Sequence, residues 1–308
     1  MASPPRQPTI ARRSLAARRN RGEHLLFIAL LAPNLLLFAV FTYWPLLYNL
    51  YLSFVSWNFL RPRKIWVGLE NYAFIASDRQ FWQIVANTAI FALGSVGLTL
   101  SLGLAIALLV NQPLRGRDAA RAVIFSPVVL SGAVIAVVWT YIFDPRYGLL
   151  AQVLGWASIA SPDWLVDKFW AMPAVVLVYV WKNIGYAVVI YLAGLRSIPR
   201  ELYDAALVDG AGPWARFRHV TIPGLSPIAF FLSITSVLTC FQSFDIVKVL
   251  TDGGPAIATT TLIYRLYDLG FVSYSAGEAG VVAIVLFLIM LLLTLVQLRY
   301  IEQRVTYA

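Results

Sequence analysis

The sequence has very little cysteine and histidine. One of its 308 residues is cysteine, Cys240, and two are histidine, His24 and His219. A single cysteine excludes an intrachain disulfide and a thiolate metal cluster. The histidines lie far apart in the chain, without acidic residues at ligand spacing, so we expect no metal site.

Charged residues are also scarce, at 13% of the chain against 60% hydrophobic residues. Soluble domains carry about 25% charged residues. This composition therefore indicates that much of the apolar surface faces a lipid bilayer. The net charge of +9 does not predict nucleic-acid binding, because the basic residues gather at the ends of apolar runs, as topology signals do.

Two kinds of catalytic motif are missing. The sequence contains no G-x-x-x-x-G-K-[ST], so this chain is not expected to cradle ATP phosphates itself. It also shows no Ser-His-Asp or metal-ligand arrangement. A membrane enzyme acting on lipids would need clustered acids or histidines, so that alternative is disfavoured.

Long apolar runs dominate what is present. A membrane-spanning helix needs about 20 apolar residues, and the lipid interior forces such runs to be helical. We therefore predict an all-α integral membrane protein with six transmembrane helices, which cover Leu25–Leu47, Ile84–Val110, Ala122–Phe143, Ala171–Leu195, Pro227–Val247 and Gly280–Leu298.

Basic residues predict the orientation of these spans. Arginines are concentrated in the tail 1–24, in loops 111–121 and 196–225, and at the C-terminus. An excess of Lys and Arg marks cytoplasmic segments. We therefore expect both termini in the cytoplasm, with a basic tail over 1–24 and a membrane domain over 25–308.

One span carries small residues at every fourth position, at Gly97, Ser101 and Ala105. Such a face lets two helices approach closely in lipid. We interpret it as ordinary packing rather than a dedicated dimerisation motif.

The cytoplasmic segment 197–223 has a pattern of its own. Pro199 can open a short helix, and Glu201 suits its positive N-terminus. Gly210 and Gly212 are expected to end that helix, and Pro213 to open a second one. The first helix would carry an apolar stripe of a kind that fits the groove of another protein; it consists of Leu202, Tyr203, Ala206 and Leu207.

This segment resembles the EAA loop of binding-protein-dependent ABC importer permeases. The family pattern is EAA, three residues, Gly, nine residues and I-x-L-P. Here Asp204-Ala205-Ala206 is followed at those spacings by Gly210 and by Val220-Thr221-Ile222-Pro223. Asp replaces Glu on a shorter side chain, which changes the geometry of any salt bridge carried over from the family.

The resemblance implies a coupling loop that docks on an ATPase subunit. The residues implied for ATPase coupling are Glu201, Asp204, Ala205, Ala206, Gly210 and Pro223. The implied partners are a second homologous permease, an ABC ATPase homodimer that binds ATP and Mg²⁺, an extracytoplasmic solute-binding protein and membrane lipids. The implied location is the bacterial inner membrane.

Polar residues inside the spans predict a substrate pathway, because ionisable groups there are costly and often functional. We assign four residues to it: Lys182, Asn183, Gln242 and Asp245. Lys182 could instead bond backbone carbonyls or an acid of the sister subunit. Asp245 could simply cap the outer turn. Gly253, Gly254 and Pro255 are expected to form a tight turn beyond it, or to touch the binding protein.

Other segments resemble the sugar and glycerol-phosphate branch of the family. They are Trp181–Tyr186, Phe244-Asp245, Leu250–Pro255, Ala258–Tyr264 and Gln297–Glu302. The last two are most similar to glycerol-3-phosphate/glycerophosphodiester permeases, which implies such a substrate. A di- or oligosaccharide is the second expectation. A stand-alone secondary transporter is a more distant alternative, since no inverted repeat is visible.

Overall fold

Helices form nearly all of the regular structure. A computed structural model of the chain describes residues 27–60, 62–113 and 115–301. The predicted basic tail, 1–24, lies outside these residues. Four helices are long and apolar enough to cross a membrane: α1 (Phe27–Ser53), α3 (Arg79–Val110), α7 (Ala171–Ser197) and α13 (Ala276–Arg299).

Two further candidate spans are bent pairs of helices. In one, α4 (Arg117–Val129) meets α5 (Gly132–Ile142) at 106°, and in the other α9 (Pro213–Gly224) meets α10 (Ser226–Phe241) at 61°. The number of spans is six when each bent pair is one span.

Shorter elements join these helices. Strands β1 (Val55–Ser56) and β2 (Ile65–Trp66) pair antiparallel. The short helices are α2 (Glu70–Ser77), α6 (Leu149–Trp156), α8 (Arg200–Val208), α11 (Asp245–Leu250) and α12 (Leu262–Tyr267). We call the end of the bundle that carries α8 the inner end and the opposite end the outer end.

The third predicted span, Ala122–Phe143, is wrong as a single helix. Pro127 lies inside α4 and cannot donate a backbone hydrogen bond. Ser131 then caps α5 by accepting a bond from the Val134 amide at 3.3 Å. The chain therefore ends one helix and starts another within a continuous apolar run, which hydropathy alone does not register.

The fifth predicted span, Pro227–Val247, is wrong in the same way. Helix α10 ends at Phe241, and α11 begins only at Asp245. Ser243 at this break is buried, and its hydroxyl has no hydrogen-bond partner among the described residues. Irregular backbone inside a membrane is tolerated where it is buried in protein or lines a cavity.

The second span begins earlier than predicted, at Arg79 instead of Ile84. The reason is local, since the Asp78 carboxylate accepts a 2.9 Å bond from the Gln80 amide and caps the helix. At 32 residues, α3 is about 48 Å long and exceeds the hydrocarbon thickness.

Helix α7 is the centre of the packing, because it joins an outer core cluster around Phe91, Val175 and Ile246 to an inner one around Val188 and Leu225. A Cβ on Gly103 of α3 would lie 2.8 Å from the Cβ of Ala187 of α7. Glycines at such contacts let helices approach closely in lipid.

The predicted small-residue face does not make that contact. Gly97, Ser101 and Ala105 are exposed in this chain, and a Cβ on Gly97 would meet nothing within 4 Å. The buried glycine, Gly103, lies on another face of the same helix, since six positions at about 100° per residue place it roughly 120° from Gly97 around the helix axis.

Candidate functional site

Helix α8 is the central element of the segment 197–223. It runs over Arg200–Val208, and Pro199 occupies its N-cap position instead of the predicted first helical position. Glu201 lies in the first turn, where a carboxylate interacts favourably with the positive helix end. Glu201, Asp204 and Ala205 are all exposed.

Gly210 ends α8 through a Schellman motif. Its amide donates to the Leu207 carbonyl at 3.0 Å, and the Ala211 amide donates to the Ala206 carbonyl at 2.8 Å. Gly210 has φ +76°, a conformation that costs residues with a Cβ free energy. The predicted turn at Gly210 is therefore confirmed. Glycine is favoured there by the backbone conformation and not by lack of space, since a Cβ at this position would meet no other atom within 4 Å.

The second helix of this segment is longer than predicted. It begins with Pro213 and continues through a π-helical turn, Phe217–Thr221, to Gly224. Pro223 lies in its final turn and is half-buried. The segment therefore leads into α10 with only a 61° bend at Leu225.

Two contacts fix α8 to this second helix. The Tyr203 and Thr221 hydroxyl groups form a hydrogen bond of 3.0 Å with each other. Gly224 approaches Ile198 so closely that a Cβ there would lie 2.9 Å from the isoleucine side chain. Helix α8 is thus attached to the second helix through Tyr203 and through the residue before its N-cap, Ile198.

The predicted apolar stripe divides into two faces. Tyr203 and Ala206 are half-buried against this chain, whereas Leu202 and Leu207 stay exposed. Val208, which the stripe did not include, is 89% exposed. The large apolar side chains that α8 itself leaves exposed are therefore Leu202, Leu207 and Val208.

A second group of contacts forms where the third and fifth predicted spans meet. Helix α11 packs on α5, and the Asp245 carboxylate lies against Gly132, at the start of α5, so that no side chain fits there. Its Oδ1 also accepts a 3.0 Å bond from the Ile246 amide. The positive end of α5 stabilises this carboxylate, which points to a positioning role for Asp245.

The other predicted pathway residues are not all brought together. Lys182 and Asn183 lie in mid-α7, and Gln242 lies exposed at the break after α10. The Asn183 amide donates to the Tyr179 carbonyl of its own helix at 2.9 Å. Within the described parts of the chain, Lys182 has no ion pair or hydrogen bond, and nothing joins it to Asp245.

The loop that contains residues 253–255 is also hydrogen-bonded to α3, which the sequence did not predict. The Asn87 amide of α3 donates to the carbonyls of Ile257 at 2.7 Å and Thr260 at 3.3 Å. The Thr88 hydroxyl accepts a 2.9 Å bond from the Leu262 amide. Sequence reasoning missed this connection, and its one signal was an adjacent Asn-Thr pair in an apolar span.

A charged cluster beside this loop was also missed. Lys248 bonds Asp252 at 2.6 Å, and the Tyr264 hydroxyl donates to the same carboxylate at 2.8 Å. The bond from Lys248, together with that from Tyr264, lowers the pKa of Asp252. The bond to Asp252 raises the pKa of Lys248. Both groups therefore stay charged near neutral pH.

Comparison with known proteins identifies the family. Residues 97–307 match the family model of the binding-protein-dependent transport system inner membrane component. The sn-glycerol-3-phosphate transport system permease protein UgpA of Brucella abortus is 35% identical over 280 residues, which cover 91% of this chain and 95% of the relative. The chain belongs to the binding-protein-dependent ABC permeases.

Solved structures share the fold of this family member. A bacterial ABC transporter that imports the acidic polysaccharide alginate has a chain that superposes with a TM-score of 0.81 at 22% identity, covering 94% of this chain and 99% of that one. The same kind of transporter in complex with its alginate-pentasaccharide-bound periplasmic protein gives a TM-score of 0.78. The chain is thus a multi-pass inner-membrane permease subunit of an ABC importer, and its family is one of transport subunits rather than catalytic enzymes.

Proposed function

We propose that this permease conducts an anionic solute, in the first place glycerol-3-phosphate or a glycerophosphodiester. The observation that carries the proposal is Lys182, a half-buried cation in mid-α7 without a partner among the described residues. The glycerol-3-phosphate permease from Brucella abortus, at 35% identity, supports the phosphate-bearing solute.

An uncompensated cation at this depth has a physical cost. Lys182 lies 11 residues from the start of α7 at Ala171, which corresponds to about 16 Å along the helix. Charges at that depth are rare in membrane helices and usually face an interior cavity. A phosphate group would offset the charge through a strong charge-assisted hydrogen bond.

The remaining pathway residues divide by role in this proposal. Gln242 keeps its side-chain amide available at the break after α10 and can donate to the solute. The Asn183 side-chain amide donates one hydrogen bond to the Tyr179 carbonyl of its own helix. Asp245 would repel an anion, and we assign it to holding the α5–α11 contact.

An acidic or neutral oligosaccharide is the second candidate. Trp181 of α7 and Trp139 of α5 form an edge-to-face pair with ring centroids 5.6 Å apart, and Trp181 is 42% exposed. An exposed indole offers an aromatic face on which a sugar ring can stack. The alginate importer, at 22% identity, supports the fold alone.

We propose further that the segment 197–223 couples the chain to an ABC ATPase homodimer, which binds ATP and Mg²⁺. The exposed Leu202, Leu207 and Val208 support docking, and the Tyr203–Thr221 contact supports transmission to α10. A second homologous permease and an extracytoplasmic solute-binding protein would complete the transporter, with both chain termini in the cytoplasm.

The solute is tested by ATPase stimulation in the reconstituted transporter. Glycerol-3-phosphate, glycerophosphodiesters and disaccharides are compared for wild type, Lys182→Met and Lys182→Arg. We expect phosphate-bearing solutes to stimulate wild type, Lys182→Met to abolish stimulation and Lys182→Arg to restore part of it. The matched control is Lys168→Met, an exposed lysine outside α7.

Stimulation by disaccharides alone would refute the phosphate assignment and leave the permease function intact. Loss of the assembled complex in Lys182→Met would instead show that this lysine is structural. The amount of intact complex recovered after purification separates that outcome from a loss of solute binding.

A further inference from the structure

A polar cavity of about 710 Å³ lies at the inner end of the bundle. It is formed where α3 and α7 end and where α4 and α8 begin. Its basic lining residues are Arg117, Arg121, Arg196 and Arg200. Asp204 is the single acidic residue in this lining, so positive charge prevails.

Only part of this charge is compensated. Arg121 bonds the Asp118 carboxylate and the Val110 carbonyl, each at 3.0 Å, and its Nε is buried without a partner among the described residues. Arg196 and Arg200 form no hydrogen bond or ion pair with any described residue. At least two guanidinium groups are therefore available to an anion.

The dipoles of the four helices that meet at the cavity oppose one another, since α4 and α8 begin there while α3 and α7 end there. Arg117 is the first residue of α4, and Arg200 is the first residue of α8. A cation at a helix N-terminus opposes the helix dipole. Asp118 and Glu201, in the same first turns, offset part of this repulsion, and an anion in the cavity would offset more of it.

The position of the cavity favours a ligand at the membrane surface. The C-terminal ends of α3 and α7 contribute Asn111 and Arg196 to the lining, and both helices are candidate spans. Basic pockets between membrane helices on the cytoplasmic side can bind lipid head groups. The planar guanidinium fork also matches phosphate oxygens in a bidentate geometry.

We propose that this cavity binds a phosphate group, supplied by the headgroup of an anionic phospholipid or by free phosphate. The site is separate from the Lys182 region, and the proposal does not depend on which solute is transported. The bound phosphate would tie the start of α8 to the ends of α3 and α7, and so fix the coupling helix against the membrane domain.

Two binding arms distinguish the sources. In the first, the full chain is placed in phosphatidylcholine nanodiscs with a graded fraction of phosphatidylglycerol, and retained phosphatidylglycerol is measured by native mass spectrometry. In the second, inorganic phosphate is titrated calorimetrically into the chain in pure phosphatidylcholine nanodiscs. The variant is Arg196→Gln/Arg200→Gln, which removes two exposed, unpaired side chains.

The matched control is Arg218→Gln/Arg299→Gln, which removes two exposed arginines outside the cavity lining. In one of the two arms we expect the cavity variant to bind roughly 10- to 30-fold more weakly than wild type, while the control stays close to wild type. The first arm would then identify a lipid headgroup and the second a free phosphate.

Equal losses in the variant and the control would overturn the proposal, because they would show unspecific attraction to basic residues. Wild-type binding that is unchanged by the variant in both arms, or absent from both, would overturn it as well. Unchanged helicity by circular dichroism confirms that the variant is folded.

Discussion

The outer loop 251–261 and the coupling segment 197–223 are held by different means. The outer loop is tied to α3 by Asn87 and Thr88, and its threonines Thr259, Thr260 and Thr261 are buried. The coupling segment is capped by its own backbone at Gly210 and leaves Val208 exposed. One region is fixed by distant polar contacts and the other by local ones.

This difference follows from where each region lies. Buried backbone groups without water must find partners in the protein, so a loop packed among spans needs side chains from elsewhere. An exposed helix can form its cap locally and keep one face free. The outer loop is therefore suited to rigidity, whereas the segment 197–223 keeps an exposed face, as the proposed contact with an ATPase requires.

The largest loss of stability is expected at the outer tether. Asn87→Leu keeps the size of the side chain but leaves the Ile257 and Thr260 carbonyls without the amide donor, at a cost of about 1–3 kcal/mol in the free energy of unfolding. Denaturant titration of the purified chain measures this free energy.

Asn183→Leu is the matched control, because Asn183 bonds only the Tyr179 carbonyl of its own helix. The unfolding free energy of this variant should change far less. Equal losses in the two variants would show that the tether adds nothing to the loop.

Local signals made the turn and the two helices of segment 197–223 predictable from the sequence. The turn at Gly210 and the helix start at Pro213 depend on the conformations of single residues, which glycine and proline reveal directly. The apolar runs likewise located the candidate spans, because composition alone decides whether a helix suits lipid.

The breaks and the outer tether were not predictable for a physical reason. The polar residues at Ser131, Gln242 and Ser243 interrupt stretches that are still apolar when averaged over about 20 residues, so hydropathy cannot tell a break there from a continuous helix. Asn87 and Ile257 lie 170 residues apart in the chain, and nothing near either residue indicates the other. Asp245 was placed near the outer boundary, but its contact with Gly132 depends on the packing of two broken spans.

An intermediate effect is expected at the local cap. Gly210→Val forces a β-branched residue to a φ near +76° and should weaken the end of α8 by about 1–2 kcal/mol. We expect faster amide hydrogen exchange in α8, reduced solute-stimulated ATPase activity and unchanged membrane insertion. Gly212→Val is the matched control, since Gly212 has φ −68° and open space around it. Normal ATPase stimulation in Gly210→Val would contradict the coupling role of the segment.

The smallest effect on the stability of the chain itself is expected at the exposed face of α8. Val208→Asp changes a side chain that is 89% exposed, and such surface changes usually alter the free energy of unfolding by within about 0.5 kcal/mol. If this face docks on the ATPase, however, the new carboxylate must be desolvated in an apolar contact, and loss of a central contact weakens binding by about tenfold or more. Co-purification of the ATPase with the chain should fall while the unfolding free energy stays unchanged.

Val166→Asp is the matched control, because Val166 is 75% exposed and precedes α7 at the outer end, where no ATPase contact is proposed. Retention of the ATPase by Val208→Asp at the level of this control would move the docking surface away from the C-terminal turn of α8.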